Sequence, residues 1–405
     1  MQLRSTVLST LCLLLAAFGG APVAHAQSTG DVTATVFYEN GGQLNMLVVN
    51  PGADVTADFG PVNVTAGYEA DIVSGASVAV VDAPSADVDV ISTATQLDDI
   101  RHVAKGALSI EADFATLTGG YSYGTESDYR SHGLFLAATS EMFERNTTLG
   151  VSYARGWDSV CNLPLEDNPE AVDRPRMPTS DGCFGDDPER TEVELQIQTF
   201  QGNWTQAWTS IFTTQLTFTA QILNGYMSNP YRAVWLGRTA AQEHHPENRA
   251  RYALGADSRL WIDALQGTLS VAVRGYSDTW DIMSITGELG YHQQIGENLS
   301  LKVRGRYYNQ SSALFFSDDY ALAPRGQYFT GDRELSAMSS WVLGGRIEFD
   351  VPASDDGYVM GFMETFALIA KSDLMLMDFR EFHYGRVQVP NDTAITVTLS
   401  LESEF

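Results

Sequence analysis

The chain has 405 residues and a formal charge of −27 at neutral pH, from 24 basic and 51 acidic side chains. That balance argues against a nucleic-acid partner, which needs basic patches to meet phosphates. Mean hydropathy is −0.12, and beyond residue 26 no apolar run reaches the roughly 20 residues of a spanning helix. A membrane location therefore requires a closed barrel, the other arrangement that pairs every backbone group.

Residues 1–26 read as an export signal. Arg4 supplies the positive start, Val7 to Phe18 form a short apolar core with Leu11, Leu13, Leu14 and Leu15, and Ala24-His25-Ala26 fits the small-x-small cleavage rule. The mature chain is expected to begin at Gln27 and to form one unit over residues 27–405.

From there to the end the dominant pattern has period two. Val62, Val64, Ala66, Tyr68, Ala70 and Ile72 oppose Asn63, Thr65, Glu69 and Asp71. Leu216, Phe218, Ala220 and Ile222 oppose Thr217, Thr219 and Gln221. Leu299, Leu301, Val303 and Tyr307 oppose Ser300, Lys302, Arg304, Arg306 and Tyr308. The strands so predicted are 32–39, 44–58, 62–73, 101–114, 117–125, 130–141, 147–157, 190–204, 211–224, 250–264, 267–277, 281–293, 298–309, 334–350, 357–370 and 393–405. A soluble sandwich would use strands of about 5–6 residues, and these runs are longer.

The connections alternate in length. Gly60-Pro61, Glu144-Arg145-Asn146, Leu265-Gln266-Gly267, Ile295 to Asn298 and Pro352 to Gly357 are short. Residues 74–100, 158–190, 225–249, 310–333 and 372–392 are long. Short periplasmic turns alternating with long external loops mark an outer-membrane barrel. The expected fold is all-β: a transmembrane, antiparallel, up-and-down barrel of about sixteen strands, or fourteen without the first pair around Gly41-Gly42. Aromatics such as Tyr68, Tyr121, Tyr123, Tyr153, Trp157, Trp204, Tyr252, Tyr276, Trp280, Tyr307 and Tyr308 are expected in interfacial girdles.

Cys161 and Cys183 share one polar, Pro-rich loop. In an exported protein that arrangement reads first as a disulfide. The last strand carries Ile395, Val397, Leu399, Leu401 and Phe405 on one face. A strand ending in an aromatic resembles the signal read by the barrel-assembly machinery, so Leu399, Leu401 and Phe405 are candidate assembly residues. The other expected partner is outer-membrane lipid.

Four segments also resemble a known family. They are Asp71-Ile72-Val73-Ser74-Gly75-Ala76-Ser77, Arg274-Gly275-Tyr276-Ser277-Asp278-Thr279-Trp280-Asp281-Ile282, Arg304 to Phe316, and Gly331-Asp332-Arg333-Glu334-Leu335-Ser336. They are similar to the outer-membrane barrel family called domain of unknown function 3570. The resemblance spans most of residues 33–405 and implies a barrel fold. It also implies a setting among exported redox proteins, since relatives are associated with a flavin-attaching transferase and a thioredoxin-like protein. It carries no activity onto particular residues.

No catalytic constellation emerges. The chain lacks a G-x-S-x-G elbow, a C-x-x-C-H haem site, a P-loop and a dinucleotide fingerprint, so no enzyme activity and no cofactor are expected. His244-His245 beside Glu243 and Glu247 read as a solvated loop ahead of a metal site, because adjacent side chains on extended backbone diverge. The repeat of Asp71–Ser77 at Asp89–Thr95 reads as a hairpin. The acidic loop 158–190 allows weak divalent-cation binding.

Alternation assigns the lumen Lys105, Arg251, Arg259, Arg274, Lys302, Arg304, Arg306 and Arg346. It assigns there also the acids Glu69, Asp71, Glu111, Asp113, Glu192, Glu194, Asp257, Asp263, Glu288 and Glu348. The two sets nearly cancel, which predicts mixed pairing around the wall. Three functions remain open: a porin-like channel for small solutes, a specific uptake channel for an apolar or anionic nutrient, and a barrel that docks or sheathes exported redox carriers.

Overall fold

The computed structural model describes residues 28–40, 45–75, 97–162, 191–230, 233–235, 240–318, 320, 326–354, 357–384, 387–388 and 392–405. In chain order the first strands are β1 (Thr29–Asn40), β2 (Asn45–Asp58), β3 (Val62–Gly75), β4 (Leu97–Ala112), β5 (Ala115–Thr125), β6 (Tyr129–Met142) and β7 (Thr147–Asn162). Next come β8 (Thr191–Thr209), β9 (Phe212–Gly225), β10 (Ala233–Trp235), β11 (Ala240–Gln242), β12 (Asn248–Ile262), β13 (Gly267–Asp278) and β14 (Met283–Ile295). The last are β15 (Leu299–Gln310), β16 (Met338–Asp350), β17 (Thr365–Phe379), β18 (His383–Tyr384), β19 (Val387–Gln388) and β20 (Asp392–Glu404). Sixteen of these close one antiparallel barrel, each beside its sequence neighbour; β10 with β11 and β18 with β19 form small hairpins in the external loops.

Lipid demands this closure. An open sheet edge would leave a row of peptide groups unpaired in hydrocarbon, at several kcal/mol each. Here β1 pairs with β20 from Thr29↔Glu404 to Asn40↔Thr393. The seam ends in a reciprocal backbone pair, the Phe405 amide to the Ser28 carbonyl at 2.9 Å and the Ser28 amide to the Phe405 carbonyl at 3.3 Å. On its inner face Thr35 and Thr398 hydroxyls meet at 3.0 Å.

Alternation then divides the wall. Outward positions are apolar: Val151 is 63% exposed, Leu254 60% and Val303 59%. In water such exposure would be an aggregation hazard; against acyl chains it is the solvated state. Aromatic girdles bound this band. Toward the outside, the Tyr68 hydroxyl meets His102 Nδ1 at 2.7 Å and the Tyr121 hydroxyl meets His132 Nδ1 at 2.6 Å. At the periplasmic turns stand Phe59, Phe114, Phe143 and Phe362, all exposed. The chain is thus a transmembrane barrel of the bacterial outer membrane.

Two expectations need correction. The strand expected at 357–370 runs Thr365–Phe379. Residues 357–364 belong to the periplasmic turn, where Gly357, Met360 and Gly361 take positive φ values of 84°, 53° and 81°. The polar run Lys371-Ser372-Asp373 resembles a loop in sequence, yet it pairs with Arg346, Gly345 and Gly344 on β16. Its charged members face the lumen, so polarity there marks the inner face and not the end of the strand. Among the girdle candidates, Tyr276 and Tyr308 pair within lumen rows, with Ala253 and Ser340. Trp280 is buried under the external loops.

Replacing Phe405 with Asp, or deleting it, should sharply lower the amount of heat-modifiable folded barrel while synthesis is unchanged, because both changes remove its stack on Phe362, with centroids 6.0 Å apart, and deletion also removes the seam's last backbone pairing. Electrophoresis of unboiled outer membranes against total protein checks this.

Candidate functional site

Directly paired residues on neighbouring strands share a face, so the registers assign every lumen side chain. Of the sequence candidates, Arg259, Arg274, Glu288, Lys302, Arg304, Arg306, Arg346 and Glu348 fall on the inner face of β12 to β16. Glu192 and Glu194 do not. They pair with Cys161 and Ser159, in phase with outward-facing Phe200 opposite Tyr153. Both sit at the outer end of the long β8, exposed on the barrel's exterior. Asp113 lies in the periplasmic turn after β4, and Asp263 in a 3-10 turn after β12.

Opposite charges pair around the lumen, as at Lys105–Asp54 and Arg346–Glu348, while the balance of acids and cations differs from one wall to another. The inner faces of β1 to β4 carry Asp31, Glu39, Asp54, Asp58, Glu69, Asp71 and Glu111 against Arg101 and Lys105. Lys105 is spent on Asp54 at 2.9 Å. From β8 to β9 the inner wall is largely uncharged, with Gln201, Asn203, Thr217 and Gln221. From β12 to β17 cations predominate. Arg249 holds Asp278 with its Nε at 2.8 Å and lies 3.9 Å over the Trp280 ring. Arg251 donates to Gln221 at 3.0 Å, and Arg259 pairs with Asp257 at 3.0 Å. Arg304 bridges Asp373 at 2.9 Å and Glu288 at 3.5 Å; Arg346 meets Glu348 at 2.7 Å. Lys371 and Asp373, absent from the sequence candidates, join this wall.

The external loops are tied to each other and to the rim. The segment that carries β11 reaches the top of β7, where Gln242 Nε2 donates to Asn162 Oδ1 at 2.8 Å. It joins the β15–β16 loop through the His244 and Phe329 backbones, paired at 3.0 Å, and through the Thr330 hydroxyl on Glu243 at 2.8 Å. Val234, Ala241, Tyr320 and Phe329 form one small apolar core beneath them; Trp280, Ile282, Ala313 and Leu335 form another.

Arg333 is the anchor. Its guanidinium is buried between Glu39 at the end of β1 and Asp392 at the start of β20, with Nη1 2.6 Å from Asp392 and Nη2 bonded to Glu39. Phe379 of β17 lies beneath it, 5.0 Å from ring centre to guanidinium carbon. One loop residue therefore clamps both strands of the closing seam. Nothing in the sequence pattern pointed to Glu39 and Asp392, which lie 353 positions apart by number.

His245 is buried, with Nδ1 at 3.0 Å from the Met227 carbonyl and Nε2 at 3.5 Å from Glu243. His244 diverges from it, onto the Gln327 carbonyl at 3.0 Å. Among the described residues no group of three ligands could hold a metal. Asp71 accepts from Asn50 at 2.6 Å; Asp89–Thr95 lie outside the described residues. Cys161 is fully buried and disulfide-bonded. Cys183 and the acids of 163–190 lie outside the described residues.

Such a wall, apolar outside and charged inside, defines a transmembrane β-barrel with a polar lumen. Residues 6–356 match the family described as Protein of unknown function (DUF3570), and the chain belongs to that family. No curated protein matches the sequence. Among solved structures, a bacterial polysaccharide outer membrane secretin is similar at 8% identity over 93% of this chain and 99% of that one, with TM-score 0.48. Pseudomonas aeruginosa OccK2 (OpdF) is similar at 10% identity over 94% and 98%, with TM-score 0.43. The outer membrane protein OprD from Pseudomonas aeruginosa is similar at 10% over 94% and 96%, with TM-score 0.43. Identities this low carry nothing residue by residue.

Arg333→Met should destabilise the barrel by about 3–5 kcal/mol, since it leaves two buried carboxylates without a countercharge. The shift of the urea unfolding midpoint measures it. At the β5–β6 turn, burial first and then Asp128 push the Glu126 carboxyl up to about 7, against Arg101 and with a further push from Asp71. A raised carboxylate pKa favours the folded turn while the group is protonated, and that contribution is lost as pH rises through about 7. Protection factors in this hairpin, corrected for the base-catalysed intrinsic rate, should therefore fall as pH rises toward about 7, and Glu126→Gln should abolish that fall.

Proposed function

We propose that the barrel is a passive channel for small hydrophilic solutes. The observation that carries this reading is the two-faced wall: sixteen strands whose inward residues are mostly hydroxyl, amide, charged and small groups, with a minority of apolar ones such as Phe37, Val342 and Ile369. Sixteen-stranded walls enclose an aqueous bore, and inner side chains suited to water are superfluous in a barrel that only anchors a partner. Where strands need no aqueous contact, an inner face packs apolar residues, as in small filled barrels. The loop residue Arg333 sits at the outer mouth over the seam of β1 and β20.

The acidic wall and mouth concentrate cations at long range, while salt screens that field over about 8 Å at physiological strength. Heat-modifiable protein reconstituted in planar bilayers should give stepwise ionic currents. Reversal potentials should show a mild cation preference in dilute KCl that fades in concentrated KCl. Inserted protein that passes no current would sink the channel reading.

A further inference from the structure

One lumen row breaks the usual cross-strand pairing of opposite charges. It runs His292, Lys302, Arg346, Lys371 and Thr398 across β14, β15, β16, β17 and β20. Three formal cations thus stand side by side on successive strands, and like charges directly opposite one another destabilise a sheet.

Neighbouring acids relieve the row only at Arg346. Asp373 is held by Arg304, whose Nε lies at 3.1 Å and whose Nη2 spans both oxygens at 2.9 and 3.0 Å. Glu288 is the second partner of the same guanidinium, at 3.5 Å. Glu348 is taken by Arg346. Among the described residues Lys302 and Lys371 have no acidic partner within salt-bridge distance. Arg346 keeps a buried Nε with no hydrogen-bond acceptor.

The next row supplies space. Gly344 stands between Arg304 and Asp373, and a Cβ there would lie 2.0 Å from Asp373 Oδ1. A hollow of about 290 Å³ opens among Lys302, Arg304, Gly344, Arg346, Lys371 and Asp373. That is room for a small organic acid or phosphate, facing two ammonium groups and a guanidinium. Arg supplies planar paired donors and Lys supplies mobile point charges for oxyanions.

We propose that this hollow is an anion subsite of the channel, where Lys302, Arg346 and Lys371 take the carboxylate or phosphate oxygens of a passing solute. The proposal rests on the channel reading for its purpose, though not for its test. A bound oxyanion supplies the countercharge that Lys302 and Lys371 lack. The site is open to the lumen on one side, so binding is weak and exchange fast, as conduction through a selective pore requires. It also gives anions a foothold in a lumen whose opposite wall repels them.

Calorimetric titration of the purified, heat-modifiable full barrel with sodium succinate or inorganic phosphate, at matched ionic strength in chloride, tests the subsite without reference to conductance. Wild type should bind one or both probes. Lys302→Gln/Lys371→Gln should weaken binding by about tenfold or more, the scale of losing charge-assisted hydrogen bonds. Lys105→Gln, on the opposite wall, should leave it unchanged. Binding of succinate alone assigns a carboxylate solute; binding of phosphate alone assigns a phosphorylated one. In bilayers the double variant should shift the reversal potential toward stronger cation preference. Equal anion binding by wild type and the folded double variant, or none by wild type, overturns the subsite even if current flows. Absence of current with intact anion binding fails the channel reading and leaves the subsite standing.

Discussion

The structure depends on one constraint: peptide groups in hydrocarbon must find partners within the wall, so the first and last strands must meet. The pairing of β1 with β20 removes both free edges. The remaining features of the barrel either follow from that closure or protect it. At the periplasmic end Ser28 and Phe405 finish the ladder. At the outer end a loop residue, Arg333, ties Glu39 of β1 to Asp392 of β20. A seam joining the two ends of the chain is the contact with the greatest loop-closure cost, and here it is secured at both rims.

Closure creates two solvents for one wall. Each strand meets lipid on alternate residues and water on the others, which explains how a chain with 51 acidic side chains can span a membrane. Most of the charges are inside the barrel or beyond its rims, and Arg155 on the outer face lies over the girdle residue Trp157. Within the lumen they are not scattered. Acids gather on β1 to β4 and cations on β12 to β17, with an amide and hydroxyl wall on β8 and β9 between them. A field therefore runs across the bore, and a solute carrying charge is oriented as well as attracted.

The outer mouth adds a second level of order. Loops that a barrel could leave loose instead have small apolar cores around Phe329 and Trp280 and a hydrogen-bonded path from Asn162 to Arg333. Buried Glu243 and His245 belong to that scaffold, which corrects the reading of this stretch as a solvated loop: the two side chains pack beneath the mouth beside Trp280 and Thr330.

Sequence alone determined the barrel and its closing strand, because period-two alternation is a local property and survives any error in strand ends; it left the strand number at sixteen or fourteen, and the structure has sixteen. It also placed most lumen charges, including Lys302, Arg304, Arg306 and Arg346. It misplaced Glu192 and Glu194, whose phase depends on the apolar outer residues further along β8. It missed Lys371 and Asp373, because a polar triplet on an inner face is indistinguishable from a loop until its partners on β16 are known. What only the tertiary structure decided was register: which cations stand beside which, which acids are already taken, and that Glu39, Arg333 and Asp392 meet. Register is set by hydrogen bonds between strands that can be hundreds of residues apart, and no local pattern along the chain encodes it.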